Sequence, residues 1–112
     1  MIKASQPNQK SSKQLHIDYE LQKVYDEMEE SRPHLCTGCL ANKNLTHSHL
    51  IPRSRSRLLI TDPKNITYHC FRCHRKWENG VRADELMDFD QSMKYIKEKD
   101  PIYYQIRMNK LY

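Results

Sequence analysis

The residues able to do chemistry are concentrated between positions 34 and 80. That segment holds all four cysteines and five of the six histidines. The cysteines come as two pairs, Cys36-Thr-Gly-Cys39 and Cys70-Phe-Arg-Cys73, with 30 residues between Cys39 and Cys70. Zinc takes four ligands in a tetrahedron, and each Cys-x-x-Cys turn delivers two thiolates from one tight loop. Gly38 suits such a turn. A redox pair needs only one such motif, in a βαβ setting absent here. The N-terminus, MIKASQPNQKSSKQ, has lysines but no apolar stretch after them, so it does not read as a secretion signal. Without secretion, disulfides are not expected. Cys36, Cys39, Cys70 and Cys73 are therefore expected to hold a structural Zn²⁺. Its binding free energy then becomes folding free energy.

Six histidines exceed what that site needs. His16 falls on a helical stretch and reads as ordinary. His34 reads as a solvated loop residue. His69 adjoins Cys70 but is surplus to a four-thiol site. His47, His49 and His74 differ in their spacing. His49 precedes Leu-Ile-Pro at the end of a strand-like run. His74 follows Cys73, and Glu78 lies four residues further on, hence on the same helix face. Around them the arginines are dense. Arg53, Arg55 and Arg57 alternate and would line one side of an extended segment, while Arg72, Arg75 and Lys76 surround a helix start. A solvated basic face is one reading; phosphate contacts that position a nucleic acid are the other. The formal charge of +5 favours a polyanionic partner.

The elements that position these groups follow from periodicity. Residues 1–14 are polar and read as a disordered arm. Ile17, Leu21, Val24, Tyr25 and Met28 recur at helical spacing, predicting an amphipathic helix over 15–32, ended before Pro33. Its polar face is acidic (Asp18, Glu20, Asp26, Glu27, Glu29, Glu30), which suits packing rather than a membrane surface. LTHSHLI and NITYHC read as two strands, with TDPKN as a turn between them. A short helix is expected from Phe71 to Asn79, stopped by Gly80. Leu86, Phe89, Met93 and Ile96 mark a helix in RADELMDFDQSMKYIKEK. Asp100-Pro101 caps a last helix whose apolar positions are Ile102, Tyr103, Ile106 and Leu111. Trp77 is expected to pack beneath its helix. No apolar run approaches the roughly 20 residues that span a bilayer. The expected class is α+β: one domain over 15–112, its zinc-stabilised core at 34–80, flanked by helices at 15–32 and 83–110.

With those elements in place, HSHLIPRS…DPKNITYHCFRCHRKWEN resembles the His-Asn-His (HNH) endonucleases of ββα-metal, treble-clef-like fold. His49-Leu50-Ile51-Pro52 matches the first family element, Asn65 the second, and Cys70-Phe-Arg-Cys73-His74 the third. Cys36 and Cys39 match the upstream pair many members carry. The resemblance covers roughly residues 34–80, and the small size is similar to that of phage-encoded members. It implies hydrolysis of DNA phosphodiesters to a 5′-phosphate and a 3′-hydroxyl. His49 is then the general base, Asn65 orients the loop, and His74 with Glu78 holds a catalytic Mg²⁺ or Mn²⁺, Zn²⁺ or Ni²⁺ also being compatible with a histidine ligand. Ser48, a weak ligand, departs from the pattern, standing where the family has an Asp or His ligand; His47 is the substitute, although in a regular strand it faces the side of His49 and not that of Ser48. Arg53, Arg55, Arg57, Arg72, Arg75 and Lys76 become DNA contacts. The expected compartment is the cytoplasm, that of the host if phage-encoded, and the protein is a monomer or a homodimer. Two other readings stay open: a zinc-stabilised nucleic-acid-binding module without catalysis, and a protein-interaction module docking through the acidic N-terminal helix.

Overall fold

The computed structural model describes residues 11–112; the first ten residues of the expected polar arm lie outside the described residues. Helix α1 spans Ser12–Ser31, so Ser12 to Gln14 are helical rather than part of an arm. The reason is local: the Ser11 side chain accepts a hydrogen bond from the Gln14 backbone N–H and caps the first turn. Leu21, Val24 and Met28 form the buried stripe, and Arg32 turns extended before Pro33. The Arg32 guanidinium then donates to the carbonyls of Ile66 (2.6 Å) and Pro63 (2.7 Å), tying the end of α1 to the next element.

That element is an antiparallel hairpin of β1, Leu45–His49, and β2, Ile66–Cys70. Its register pairs Leu45 with Cys70, His47 with Tyr68 and His49 with Ile66. Side chains alternate across a strand, so Leu45, His47, Ile66 and Tyr68 share one face. Ile66 and Tyr68 join Leu21, Val24, Met28 and Ile60 in a small core under α1. Tyr68 donates its hydroxyl to Glu29 at 2.5 Å, and burial, reinforced by that carboxylate, pushes its pKa up to about 12. A second core gathers Cys36, Leu50, Ile51, Cys70, Cys73 and Trp77 with Leu86, Met93, Ile96, Tyr103 and Leu111.

Between the strands, Asp62 caps a 3₁₀ turn, Pro63–Asn65, by accepting from Lys64 N–H at 3.0 Å. Helix α2, Phe71–Asn79, follows β2 without a break and stops where Gly80 takes φ +87°. A side chain at Gly80 would also meet Lys110 carbons at 3.0 Å. Both conformation and space thus require glycine there.

The C-terminal helices depart from the sequence-based expectation in two ways. A 3₁₀ turn, Ala83–Glu85, precedes α3, Phe89–Lys99, with Leu86 extended between them. The break has a tertiary cause. Met87 N–H donates to the Gly38 carbonyl at 3.0 Å, and Asp88 accepts from Thr37 at 2.6 Å and is bonded to His69 at 2.9 Å. Continuing the helix would forfeit these contacts with the first cysteine knuckle. Helix α4, Pro101–Asn109, starts at the expected Asp100 cap, whose carboxylate accepts from Tyr103 N–H at 3.0 Å. Its buried face is only partly the expected one: Tyr103 and Leu111 are buried as expected, but Ile102 and Ile106 are exposed and Arg107 is buried in their place.

Candidate functional site

The four cysteines come together. Their sulfurs all lie within 4.8 Å of one another, and Cys39 Sγ is 3.7 Å from Cys70 Sγ. That separation excludes a disulfide, whose sulfurs sit about 2.05 Å apart. It matches the edge of a tetrahedron built on Zn–S bonds of about 2.3 Å, which is about 3.8 Å. The knuckles are shaped for this. Leu40 N–H closes the first by donating to the Cys36 carbonyl at 2.7 Å, and Leu40 itself takes φ +66°, a conformation unfavourable for leucine. The Gly38 N–H donates to Cys36 Sγ at 3.3 Å, and a Cβ on Gly38 would sit 3.1 Å from Cys73 Sγ. Burial pushes the Cys70 thiol up, but hydrogen bonds from Cys73 and the neighbouring thiols outweigh it and bring the pKa to about 7. Donor set and spacing fit Zn²⁺.

A second group of the expected side chains lines a pocket of about 460 Å³. His47 and His49 from β1, Arg53 beyond it, and His74 and Glu78 from α2 all face it. The hydrogen bonds fix the roles of two rings. His49 Nε2 lies 2.9 Å from the Ile60 carbonyl oxygen, which only accepts. Nε2 therefore carries the proton, and Nδ1 keeps a free lone pair. Burial, then the charges of Arg53, His47 and His74, lower the His49 pKa below its usual value against the opposing pull of Ile60. That shift favours the neutral ring.

His74 is set by Thr46. The single Thr46 hydroxyl proton goes to the His69 carbonyl at 2.7 Å. Toward His74 Nδ1, 2.6 Å away, the threonine oxygen can then only accept. Nδ1 is the protonated nitrogen, and Nε2 points at Glu78 Oε2, 3.3 Å away. The Nε2 edge of His74 and the Glu78 carboxylate thus converge on one point of the pocket.

Asn65 is wholly buried at the root of the hairpin loop. Its Oδ1 accepts from Ile51 N–H at 2.7 Å, and its Nδ2 donates to the Ile51 and Leu59 carbonyls, each at 3.0 Å. It thus pins the chain leaving β1 directly beyond His49, and the loop segment that carries the Ile60 carbonyl.

Other expected residues are placed elsewhere. Ser48 is fully buried, does not line the pocket, and its hydroxyl has no hydrogen-bond partner among the described residues. His47 lines the pocket, but its ring stacks on Tyr25 with centroids 3.8 Å apart and its buried Nε2 is unpartnered. Among the described residues only the cysteines form a cluster of three or more potential metal ligands; the histidine pocket offers the pair His74 and Glu78. The alternating arginines do not form a ladder. Arg53 to Arg55 lie in a turn closed by Arg55 N–H on the Pro52 carbonyl, so alternation no longer puts them on one side. Arg55 is turned to Asp100 (3.0 Å) and lies over the Tyr103 ring. Lys76 pairs with Glu85. Arg53, Arg57, Arg72 and Arg75 are exposed.

Sequence reasoning missed three features. Thr46, which sets the His74 ring, gave no signal beyond its place two residues before Ser48. The buried His69–Asp88 pair depends on a contact between elements 19 residues apart in sequence. Arg107 and Lys110 reach the histidine pocket from α4. The spacing of Tyr103, Arg107 and Leu111 by four residues was the available clue. A larger cavity, about 630 Å³, is lined by Arg32, Tyr68, Asp88 and Tyr95 and holds no histidine. Three of its polar side chains bond to protein groups, Tyr68 to Glu29, Tyr95 to Asp62 and one oxygen of Asp88 to His69.

No helix among the described residues is long and apolar enough to cross a membrane. Comparison with models of known families, with curated proteins and with solved structures finds no match to this chain. What the chain does must therefore be argued from its own geometry: an α+β fold in which a hairpin and the following helix carry a four-thiol cluster that fits zinc.

Proposed function

We propose that this chain is a metal-dependent DNA endonuclease of the His-Asn-His type, its fold held by Zn²⁺ on Cys36, Cys39, Cys70 and Cys73. One observation carries the reading: a single pocket is lined by a neutral histidine with a free Nδ1, a His–Glu pair and an arginine. A phosphodiester resists attack because it is anionic and its leaving oxygen is poor. His49 Nδ1 takes a proton from a water whose oxygen attacks phosphorus; the bond to the 3′ oxygen breaks, leaving a 5′-phosphate and a 3′-hydroxyl that is reprotonated from solvent. Asn65 holds the backbone on either side of that base. Arg53 neutralises charge on the scissile phosphate. His74 Nε2 and Glu78 are the groups to hold a divalent cation, Mg²⁺ or Mn²⁺, with Zn²⁺ or Ni²⁺ as alternatives. When bound, that cation supplies Lewis-acid stabilisation of the phosphate and of the departing oxygen.

The test is plasmid cleavage by zinc-loaded protein. Supercoiled DNA is nicked or cut when Mg²⁺ or Mn²⁺ is added and stays intact when it is left out. His49→Ala lowers the rate by about 10²–10⁴-fold while zinc content and melting temperature are kept. Intact plasmid with every one of the four cations sinks the proposal. The buried position of Ser48 favours one rival, a zinc-stabilised nucleic-acid-binding module, since it leaves the pocket with two protein ligands. That module would bind DNA with strong salt dependence, cut nothing, and be indifferent to His49→Ala.

A further inference from the structure

We propose that the end of α4 forms a second phosphate subsite, Arg107 with Lys110, which holds a DNA phosphate next to the scissile one. The proposal rests on the nuclease reading. Arg107 is 3% exposed, and its guanidinium lies over the Trp77 ring with its carbon 3.8 Å from the ring centre. It donates to the Trp77 carbonyl and sits beside Tyr103. No carboxylate pairs with it among the described residues, and a buried cation without a counter-charge is costly. The Trp77 carbonyl at the end of α2 and the Tyr103 hydroxyl engage two of its five N–H groups. Arg107 also lines the histidine pocket, as does Lys110.

The charge of the pocket points the same way. Arg53, Arg107 and Lys110 face a single carboxylate, Glu78, which is already turned to His74. Such a surplus of positive charge, in a site walled by Trp77 and Tyr103, attracts an anion more strongly than an exposed lysine does. Gly80 is part of the device. Its missing side chain lets the Lys110 stem pass at 3.0 Å from where a Cβ would be. The two ends of the pocket then serve two phosphates of one strand: Arg53 and the histidines one, Arg107 and Lys110 its neighbour. Planar guanidinium forks and ammonium groups are the usual partners for both.

The experiment measures binding of a fluorescein-labelled duplex to zinc-loaded protein over a range of salt, with no other divalent cation. Neutralising one phosphate contact changes the slope of log K against log salt by about 0.9. Lys110→Ala, at an exposed position, is expected to reduce the slope by that amount and to weaken binding about fivefold to tenfold at low salt. Arg107→Gln should do the same, with zinc content and a cooperative melt reporting that the fold is kept. Lys23→Ala on the acidic α1 is the control and changes neither value. An unchanged slope in Lys110→Ala, or an equal loss in Lys23→Ala, overturns the subsite, and if the wild type still cuts DNA it does so without touching the nuclease reading. A reduced slope with a wild type that never cuts overturns the nuclease and leaves the anion subsite standing.

Discussion

The four-thiol cluster and the histidine pocket sit on the same hairpin and helix, share the Cys73-His74 junction, and are built on opposite plans. The cluster is closed: four soft donors from two turns converge, three of the four cysteines are buried, and no place is left for a fifth group. The pocket is open. It supplies two hard or borderline donors, one of them (Glu78) 71% exposed, beside a histidine whose free nitrogen is turned to no protein partner. Closed four-coordinate sites hold a fold together, and sites with open positions bind and activate something else. The contrast teaches that one β-turn-helix unit separates the two tasks by a single residue step. Cys73 points into the core, and His74 points across the hairpin to Thr46.

The largest effect should come from opening the closed site. Cys70→Ser removes a buried thiolate, and structural zinc contributes on the order of 10 kcal/mol in small domains. That exceeds the usual stability margin of about 5–15 kcal/mol at its lower half. Zinc stoichiometry should fall and the cooperative melt should disappear. His74→Ala, one residue from the cluster, should keep both, losing about 1 kcal/mol with its hydrogen bond. If Cys70→Ser melts like the wild type, the cluster is not structural and the contrast between the two sites fails.

How much of that contrast was legible in the sequence depended on the range of the contacts involved. The cysteine spacing, the stop at Gly80 and the Asp100-Pro101 cap are local signals, and the corresponding elements lie where they were expected. The break at Leu86 was not legible, because Gly38, Thr37 and His69 impose it from outside the segment. Alternation suggested an arginine ladder at 53, 55 and 57, but alternation has meaning only in a strand, and β1 ends at His49. Arg107 was hidden for the opposite reason. A charged residue on a helix reads as solvent-facing, and it is the cation–π contact with Trp77 and the bond to the Trp77 carbonyl that make its burial tolerable.

A smaller effect is expected from Thr46→Val, which tests the open site alone. Valine keeps the shape and removes the oxygen that receives the His74 Nδ1 proton. Partners that orient a metal-ligating histidine typically govern metal affinity by about 10–100-fold. The Mn²⁺ concentration for half-maximal cleavage should rise by that order, while zinc content and melting stay near wild type. Equal Mn²⁺ dependence in the two proteins would remove His74 as the ligand whose ring Thr46 sets.

The smallest effect concerns the proton on His49, and its sign follows from the cause of the shift. Burial, then Arg53 and the neighbouring histidines, lower its pKa from the ordinary 6.5. The ring works as a base only when neutral, so cleavage should fall as pH drops through that lowered value and be level above it. The wild-type midpoint in a profile of kcat/KM therefore lies below 6.5, since this profile reports groups of the free enzyme. Arg53→Ala removes one of the charges that disfavour protonation, so the midpoint should move upward while staying below the free value, because burial, the larger cause, remains. This shift is separable from the loss of phosphate binding, which lowers the plateau and leaves the midpoint alone. A wild-type midpoint above 6.5, or a downward shift in Arg53→Ala, would mean that His49 is not the base. The open pocket would then be, like the thiol cluster beside it, a site for holding rather than for reacting.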